Sequence, residues 1–552
     1  MTDTEKQDIR HMGSCERLPS IPEDVQEITV EYPRGWRLFL TTVGVLASVY
    51  LVNLEVTIVS TSLISITNDL NGFEKTSWIA TAFLTTYTAF MSLWTRFSDI
   101  TGRKKAIIAA DIVFLMFSMG CGASKTVDQL IICRAFQGIG GAGVYTLGVL
   151  CVYELVEKPR LPLFGALMAV TIALASLTGP IFGGVLTENS SWRWVFYIKL
   201  GLTEKLEPPT RRTGSYITSP GNACAFWLCE AAAPFRADAE LAAFQKNRLH
   251  GLVSQLSGSL LLVSVLNEAN QHFEWSSPTA ITLVVLACLS WIVFFVWELC
   301  IVANCSGYDP IFPRRFLSNR AWIGILITTF ASGCPWNVII LYISQRLQLL
   351  VKMSPLEAGI HLIPFSAVAT VASSLACLCS SKGRVPFVYT TLLGSFLQIV
   401  GVTLLSTLPE SPTFPTEGPG YEALAGLGIG TTIGILILAT PFVVEVQDLT
   451  NATGALTQYR FLGGAIGLSV ASNILNSRLK SKLTGVLSSE QLQTLLQNPA
   501  MVSSFSPDLQ GIIEAVFSRS YTIQLRAMIA FSAMQVLAAL LMFKRGRQHA
   551  VA

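Results

Sequence analysis

Charge is what this chain has least of. Asp, Glu, Lys and Arg make up 13% of its 552 residues, where a soluble domain carries about a quarter. Hydrophobic residues make up 51%, so the composition excludes an ordinary soluble enzyme and describes a chain that crosses a bilayer many times. A net charge of +3, with no basic stripe carrying interleaved aromatics, gives no footing for nucleic acid. Histidine is scarce, and His11, His250, His272, His361 and His549 lie far apart. Neither H-E-x-x-H nor G-x-S-x-G occurs, which leaves out the usual membrane-protease and hydrolase signatures; no catalytic residue, metal or cofactor is expected. The twelve cysteines form no repeated C-x-x-C. Several of them (Cys121, Cys133, Cys288, Cys377) sit in apolar runs and read as small buried residues rather than disulfides or zinc ligands. Residues 1–33 lack an apolar core behind positive charges, so no cleaved signal peptide is expected.

One apparent nucleotide motif is present. Residues 134–143 read RAFQGIGGAG, and the last six spell the G-x-G-x-x-G of a dinucleotide-binding loop. That loop needs a strand before it, a helix after it and a carboxylate about 20 residues on. Here the glycines lie inside one apolar stretch from 127 to 152, long enough to span a bilayer. Glu154 and Glu157 come too soon. Glycines at 138, 140, 141 and 143 within a span instead let a neighbouring helix approach closely.

Thirteen apolar windows of suitable length are legible, near 38–63, 78–97, 106–124, 127–152, 161–186, 251–267, 279–302, 321–343, 355–379, 385–408, 421–446, 459–475 and 522–543. Cytoplasmic loops collect Lys and Arg, so charge tests the count. With the N-terminus inside, Arg103 to Lys105 and Lys158 with Arg160 fall inside as well. Arg314 with Arg315, Lys382 with Arg384, and the tail from Lys544 to Arg547 fall outside unless one more crossing lies between about 192 and 250. The charges therefore call for a fourteenth span, although 217–235 is a poor candidate. The stretch from Asn476 to Ser520 breaks the charge rule, as long loops do.

Four stretches carry a resemblance: WTRFSDITGRKKAI after the second span, RAFQGIGGAG in the fourth, LASLTGPIFGGVL in the fifth and SWRWVFYI opening the sixth. In this order they resemble the major facilitator superfamily, in its fourteen-span drug:proton antiporter branch of the kind abundant in fungi. DPIFPRRFLSNR, SPLEAGIHLIPF and RFLGGAIGLSV look like that branch's second half. The resemblance implies an all-α polytopic fold of two six-helix bundles with two linking spans. It implies a cytosolic arm over 1–37, a first bundle over 38–200 and an atypical sixth-span region over 201–250. The linking spans then cover 251–303, and the second bundle covers 304–543 with an extracellular loop over about 476–520. A cytosolic tail over 544–552 completes the chain.

Residue by residue, Asp99, Gly102, Arg103 and Lys104 form a short turn at the cytoplasmic face; topology alone explains it, and the resemblance adds a latch between the bundles. Thr95 stands where that motif opens with Gly, and Ile100 where a cation follows the Asp, which implies a looser latch. Arg134 costs roughly 2.5–3.5 kcal/mol inside a span and should face water, a cavity or a carboxylate; a snorkelling end-of-helix arginine is the alternative. Glu55, deep in the first span, is the complementary acid. It is either a proton carrier or a carboxylate held permanently by one partner. The resemblance assigns proton coupling to Glu55 and Arg134, with Gln137 one turn on. Gly179, Pro180, Gly183 and Gly184 form a smooth, kinked stripe on the fifth span that packing alone explains. The resemblance makes it the antiporter helix that controls leak. Arg460 beside Gly463, Gly464 and Gly467 reads as packing and loop anchoring. Tyr87, Trp336, Tyr342 and Gln137 are candidates to line a substrate cavity.

The expectation is thus a proton-coupled exporter of an amphipathic small organic molecule, a secondary metabolite, toxin or drug, in the plasma membrane or the vacuolar membrane. Its partners are the substrate, protons and lipid. Proton-driven uptake of a nutrient or siderophore is the rival reading. A non-transporting sensor, or an inactive product of a damaged sixth span, is the other.

Overall fold

The computed structural model describes residues 35–156, 160–198, 246–268, 275–301, 312–381, 386–409, 415–445, 448–497, 502 and 505–543. Among them every regular element is a helix, apart from one isolated bridge between Thr484 and Leu487. An apolar segment in a bilayer must satisfy its own backbone, and a helix does so within one segment.

The first half contains α1 (Trp36–Asp69), α2 (Thr76–Thr101), α3 (Arg103–Ala123), α4 (Val127–Leu155), α5 (Leu161–Asn189) and the short α6 (Trp194–Tyr197). Two further helices follow, α7 (Lys246–Glu268) and α8 (Pro278–Val296). The second half holds α9 (Arg314–Ser318), α10 (Arg320–Leu349), α11 (Pro355–His361), α12 (Ile363–Ser381), α13 (Phe387–Leu405), α14 (Gly418–Val443), α15 (Leu449–Leu483), α16 (Ser489–Gln497) and α17 (Pro507–Leu541). Side chains set several of the starts. Thr126 accepts from the Gln129 amide, Asn319 from Ala321 and Trp322, and Ser354 forms a reciprocal capping box with Glu357, each satisfying amides that a helix start leaves open.

Each of the thirteen apolar windows carries a helix over most of its described residues. Among the described residues, ten helices are long and apolar enough to cross a membrane by length and composition. The three windows that fall short belong to α2, α7 and α15, and these three helices pack on one another. Their polarity is spent inward, where Gln458 of α15 accepts from Ser92 of α2 at 2.7 Å and from Gln255 of α7 at 3.1 Å. By contrast α8, the most apolar helix, packs chiefly on α7 and turns Ile281, Leu289 and Ile292 outward, as a lipid-facing helix does. The crossing required between 192 and 250 falls on residues 199–245, outside the described residues.

Packing repeats between the halves. In the first, α4 lies against α2 and α3, and α1 against α5; in the second, α14 lies against α12 and α13, and α10 against α15. The halves meet along two seams that repeat in the same way, α2 on α15 and α5 on α12 with α11. An internal repeat of this kind places a site at the interface between its copies.

Candidate functional site

The first half encloses an ion pair. Arg134 Nη1 donates to Glu55 Oε1, joining α4 to α1, with the side chains 2% and 0% exposed. The same nitrogen donates to Gln137 Oε1 at 3.0 Å, and Nε donates to the Ile79 carbonyl at 3.1 Å. Gln137 Nε2 donates to Ser118 Oγ at 2.6 Å, which brings in α3. The guanidinium stands over the ring of Phe83 at 4.4 Å and that of Phe196 at 5.9 Å. An arginine within a span is tolerable where its donors are filled and its charge is opposed. Arg134 is therefore no snorkelling end residue. It also borders a cleft reached by Asn337, Ile340 and Leu341 of α10 and Leu468 of α15, so the pair is adjacent to the other half.

Glycines set the spacing of α4. A side chain on Gly138 would strike the Phe83 carbonyl of α2, and one on Gly140 the backbone of Phe114 in α3. The apparent nucleotide motif is thus a three-helix packing surface. The short α6 belongs to the same bundle: Trp192 Nε1 donates to Asp69 Oδ2 at 2.9 Å, and Arg193 pairs with Asp69 at 3.2 Å.

The G-P-x-x-G-G stripe has two faces. Gly179 and Gly183 lie against Thr57, Ile58 and Thr61 of α1, so close that a Cβ at Gly183 would overlap the Ile58 carbonyl. Thr61 Oγ1 donates to the Pro180 carbonyl at 3.2 Å and Ser62 Oγ to that of Gly183 at 3.2 Å. Gly184 faces the other way: a Cβ there would lie 2.5 Å from Leu356 Cα, on α11 of the second half. Gly359 of α11 answers it by abutting the Pro180 carbonyl at 2.5 Å on the same measure. At the same level Gln348 Nε2 donates to the Thr61 carbonyl at 3.1 Å. The α5–α11 and α1–α10 contacts join the two halves at that end.

At the opposite end Gly102 joins α2 to α3 at φ +88°, a conformation that favours glycine. Arg103 Nη1 donates to Ser98 Oγ, and Lys104 is partly exposed. The side chain of Asp99 lies outside the described residues. Thr95 is buried and faces Gly454 on α15, so the glycine missing from α2 has a counterpart on the opposing helix that leaves room for the threonine methyl.

A central cavity lies between the halves, lined by Asn53 and Thr57 of α1, Ser176 of α5, Trp336 of α10, Thr370 and Ser373 of α12, Ile433 of α14, and Arg460 with Phe461 of α15. Smaller cavities lined by Tyr145, Thr457 and Ile437 adjoin it and lead toward the ends where α4 meets α5 and α14 meets α15. Of the four cavity candidates, Trp336 lines this space. Tyr87 is fully buried and edges onto Phe461 at 4.6 Å. Gln137 belongs instead to the ion-pair network, and Tyr342 is buried beside Tyr521 at 6.3 Å.

Two residues gain a place that the sequence did not give them. Arg460, expected to serve packing, borders the central cavity. Glu422 of α14 is completely buried, and neither carboxyl oxygen has a hydrogen-bond partner among the described residues. Its signal was present: residues 422–428 read EALAGLG against RAFQGIG at 134–140. The packing agrees with that register, since Gly426 meets the Phe365 carbonyl of α12 as Gly138 meets that of Phe83, and Gly428 meets Gln398 of α13 as Gly140 meets Phe114. Glu422 thus occupies in the second half the place of Arg134 in the first.

Comparison with known proteins agrees with this architecture. The family model for the Major Facilitator Superfamily matches residues 43–203. The chain is 33% identical over 525 residues to the MFS-type transporter FPY5 of Fusarium mangiferae, covering 93% of this chain and 85% of that one. It is 25% identical over 459 residues to the rubrofusarin-specific efflux pump aurT of Gibberella zeae, covering 82% and 79%. A bacterial homologue of the human lysosomal transporter Spinster, solved inward-facing and unoccupied, superposes with a TM-score of 0.57 at 15% identity over 92% of this chain and 98% of that chain; at that identity the likeness concerns the fold.

Proposed function

The chain belongs to the major facilitator superfamily and is a membrane transporter rather than an enzyme, and from that premise we propose that it exports an amphipathic small organic molecule in exchange for protons. The observation that carries this reading is the buried pair of Glu55 and Arg134 beside a cleft shared by both halves. A carboxylate in that position has two states. Paired with Arg134 its charge is opposed; when a proton arrives the pair opens, and Arg134 keeps the Gln137 and Ile79 contacts that hold it in place. Loosening the α1–α4 join changes how α1 seats on α5 and α10, the helices whose contacts join the two halves at one end of the molecule. Proton entry thereby biases the equilibrium between access states, and a ligand binding one state better than the other completes the exchange.

The central cavity supports an amphipathic substrate, because apolar side chains and a few hydroxyl and amide groups share its wall. The named efflux pump among the relatives supports the outward direction. Export to the cell exterior places the protein in the plasma membrane, and the same exchange operates at a vacuolar membrane. The fourteen-span count and the division into bundle, linker and bundle belong to this reading.

The test is a proteoliposome assay with an imposed pH gradient and a fluorescent amphipathic dye. Wild-type protein is expected to move dye against its gradient and to lose that ability when the pH gradient is collapsed. Glu55→Gln is expected to retain only downhill exchange. Gradient-driven accumulation by Glu55→Gln equal to wild type would overturn the coupling role.

A further inference from the structure

Arg460 stands at the central cavity, and among the described residues no acid lines it. Its guanidinium lies over the ring of Phe461 at 4.6 Å and that of Tyr145 at 5.9 Å, and among the described residues it has no hydrogen-bond or ion-pair partner. It is half-buried, its open side bordering the central cavity and one adjoining it. The contrast with Arg134 is direct. That arginine is closed in by Glu55, Gln137 and a carbonyl, whereas Arg460 offers a planar fork of donors to the space between the halves.

The backbone aims it there. Gly333 of α10 abuts the Arg460 carbonyl, and Gly463 abuts that of Phe330, so α15 and α10 pack backbone to backbone on one side. The side chain at 460 is left on the cavity side, near Trp336. Ring faces hold the guanidinium in place but do not neutralise it. An unopposed cation kept within the membrane marks a ligand site, and a fork of this shape fits a carboxylate or phenolate.

We infer that Arg460 is the anion-recognising residue of the transport site, and that the substrate is an organic acid, one ionised carboxyl or acidic phenol on a flat apolar body. The acid group meets Arg460, the body lies along Trp336 and Phe461, and Thr370 and Ser373 are within the same wall for its remaining oxygens. The inference rests on the transport reading above and narrows its substrate class. Glu55, the acid nearest in function, is not available to oppose Arg460, because it is committed to Arg134.

The experiment measures binding, so that it stands apart from transport. Purified full-length protein in detergent is titrated with naphthoate and with its neutral amide by equilibrium dialysis. Wild type is expected to prefer naphthoate by about tenfold or more, the size of one charge-assisted hydrogen bond. Arg460→Gln is expected to bind both alike while keeping the wild-type affinity for the amide, which shows that the site has not collapsed. Arg460→Lys is expected to keep part of the preference. Equal binding of the two probes by wild type, binding of neither, or an undiminished preference in Arg460→Gln overturns the inference. If dye transport persists in any of those cases, the exporter reading survives and only the substrate class fails. Charge-selective binding without pH-driven transport would instead uphold the anion site and overturn proton-driven export.

Discussion

Arg134 meets Glu55 from 79 positions away in the chain, and the groups that hold the pair come from four helices of one half. α4 supplies the arginine and Gln137, α1 the acid, α2 the Ile79 carbonyl, and α3 the Ser118 hydroxyl. The pair is thus a structural keystone of the first bundle as well as the candidate coupling site. Removing one partner and removing both have different consequences.

Arg134→Ala is expected to destabilise the protein by about 3–5 kcal/mol, because an unopposed carboxylate remains in the core. Glu55→Gln, which leaves the arginine an amide acceptor, is expected to cost less. The double variant Glu55→Gln with Arg134→Gln is expected to recover much of the loss. Thermal unfolding in detergent, read by tryptophan fluorescence, measures all three; a double variant as unstable as Arg134→Ala would show that charge is not the source of the loss.

The two faces of the α5 stripe separate folding from conformational change. Gly183→Ala puts a methyl into the Ile58 carbonyl within the first half, so a lowered unfolding temperature is expected. Gly184→Ala instead meets Leu356 Cα and the Pro355 carbonyl, at 2.5 and 2.8 Å, across the seam. It is expected to leave the unfolding temperature within a few degrees of wild type while opening the α5–α11 seam. A pair of cysteines, one on α5 and one on α11, reports this by cross-linking yield, which should fall in Gly184→Ala. An unchanged yield would mean that α11 gives way without opening.

Gln458 holds α2, α7 and α15 together through one carbonyl oxygen. Gln458→Leu strands Ser92 and Gln255, both buried, and is expected to cost about 1–3 kcal/mol. Adding Ser92→Ala and Gln255→Leu to that background should restore part of the loss, since stranded donors rather than the missing bonds carry most of the penalty. A triple variant no more stable than the single one would place the penalty in packing instead.

Glu422 presents the opposite case. Its whole carboxyl is buried and no donor among the described residues faces it, so Glu422→Leu is expected to raise stability by about 1–3 kcal/mol. A fall of similar size would reveal a partner supplied by residues outside those described.

Much of the fold was readable because a bilayer allows few solutions. Each of the thirteen apolar windows carries a helix among the described residues, and the glycines of RAFQGIGGAG were legible as helix packing because no strand preceded them. Arg134 and Glu55 could each be singled out, since a charge inside an apolar run is expensive wherever it stands. Arg460 could not be distinguished in this way from a loop-anchoring arginine near a helix start, and Gln137 could not be told from a cavity residue. Both depend on which way a helix is rotated against its neighbours, and local hydropathy does not report rotation when a helix is buried on most sides.

The sequence by itself determined the class of the molecule and the number of legible apolar segments, and it marked Glu55 and Arg134 as intramembrane charges, because composition and run length alone decide what a bilayer accepts. Only the tertiary structure decided which charges meet. Glu55 is closed by Arg134, Glu422 takes the matching position without a described donor, and Arg460 opens into the space between the halves. These outcomes follow from interhelical contacts between residues far apart in the chain, set by where glycines let two backbones touch, and no local pattern encodes them.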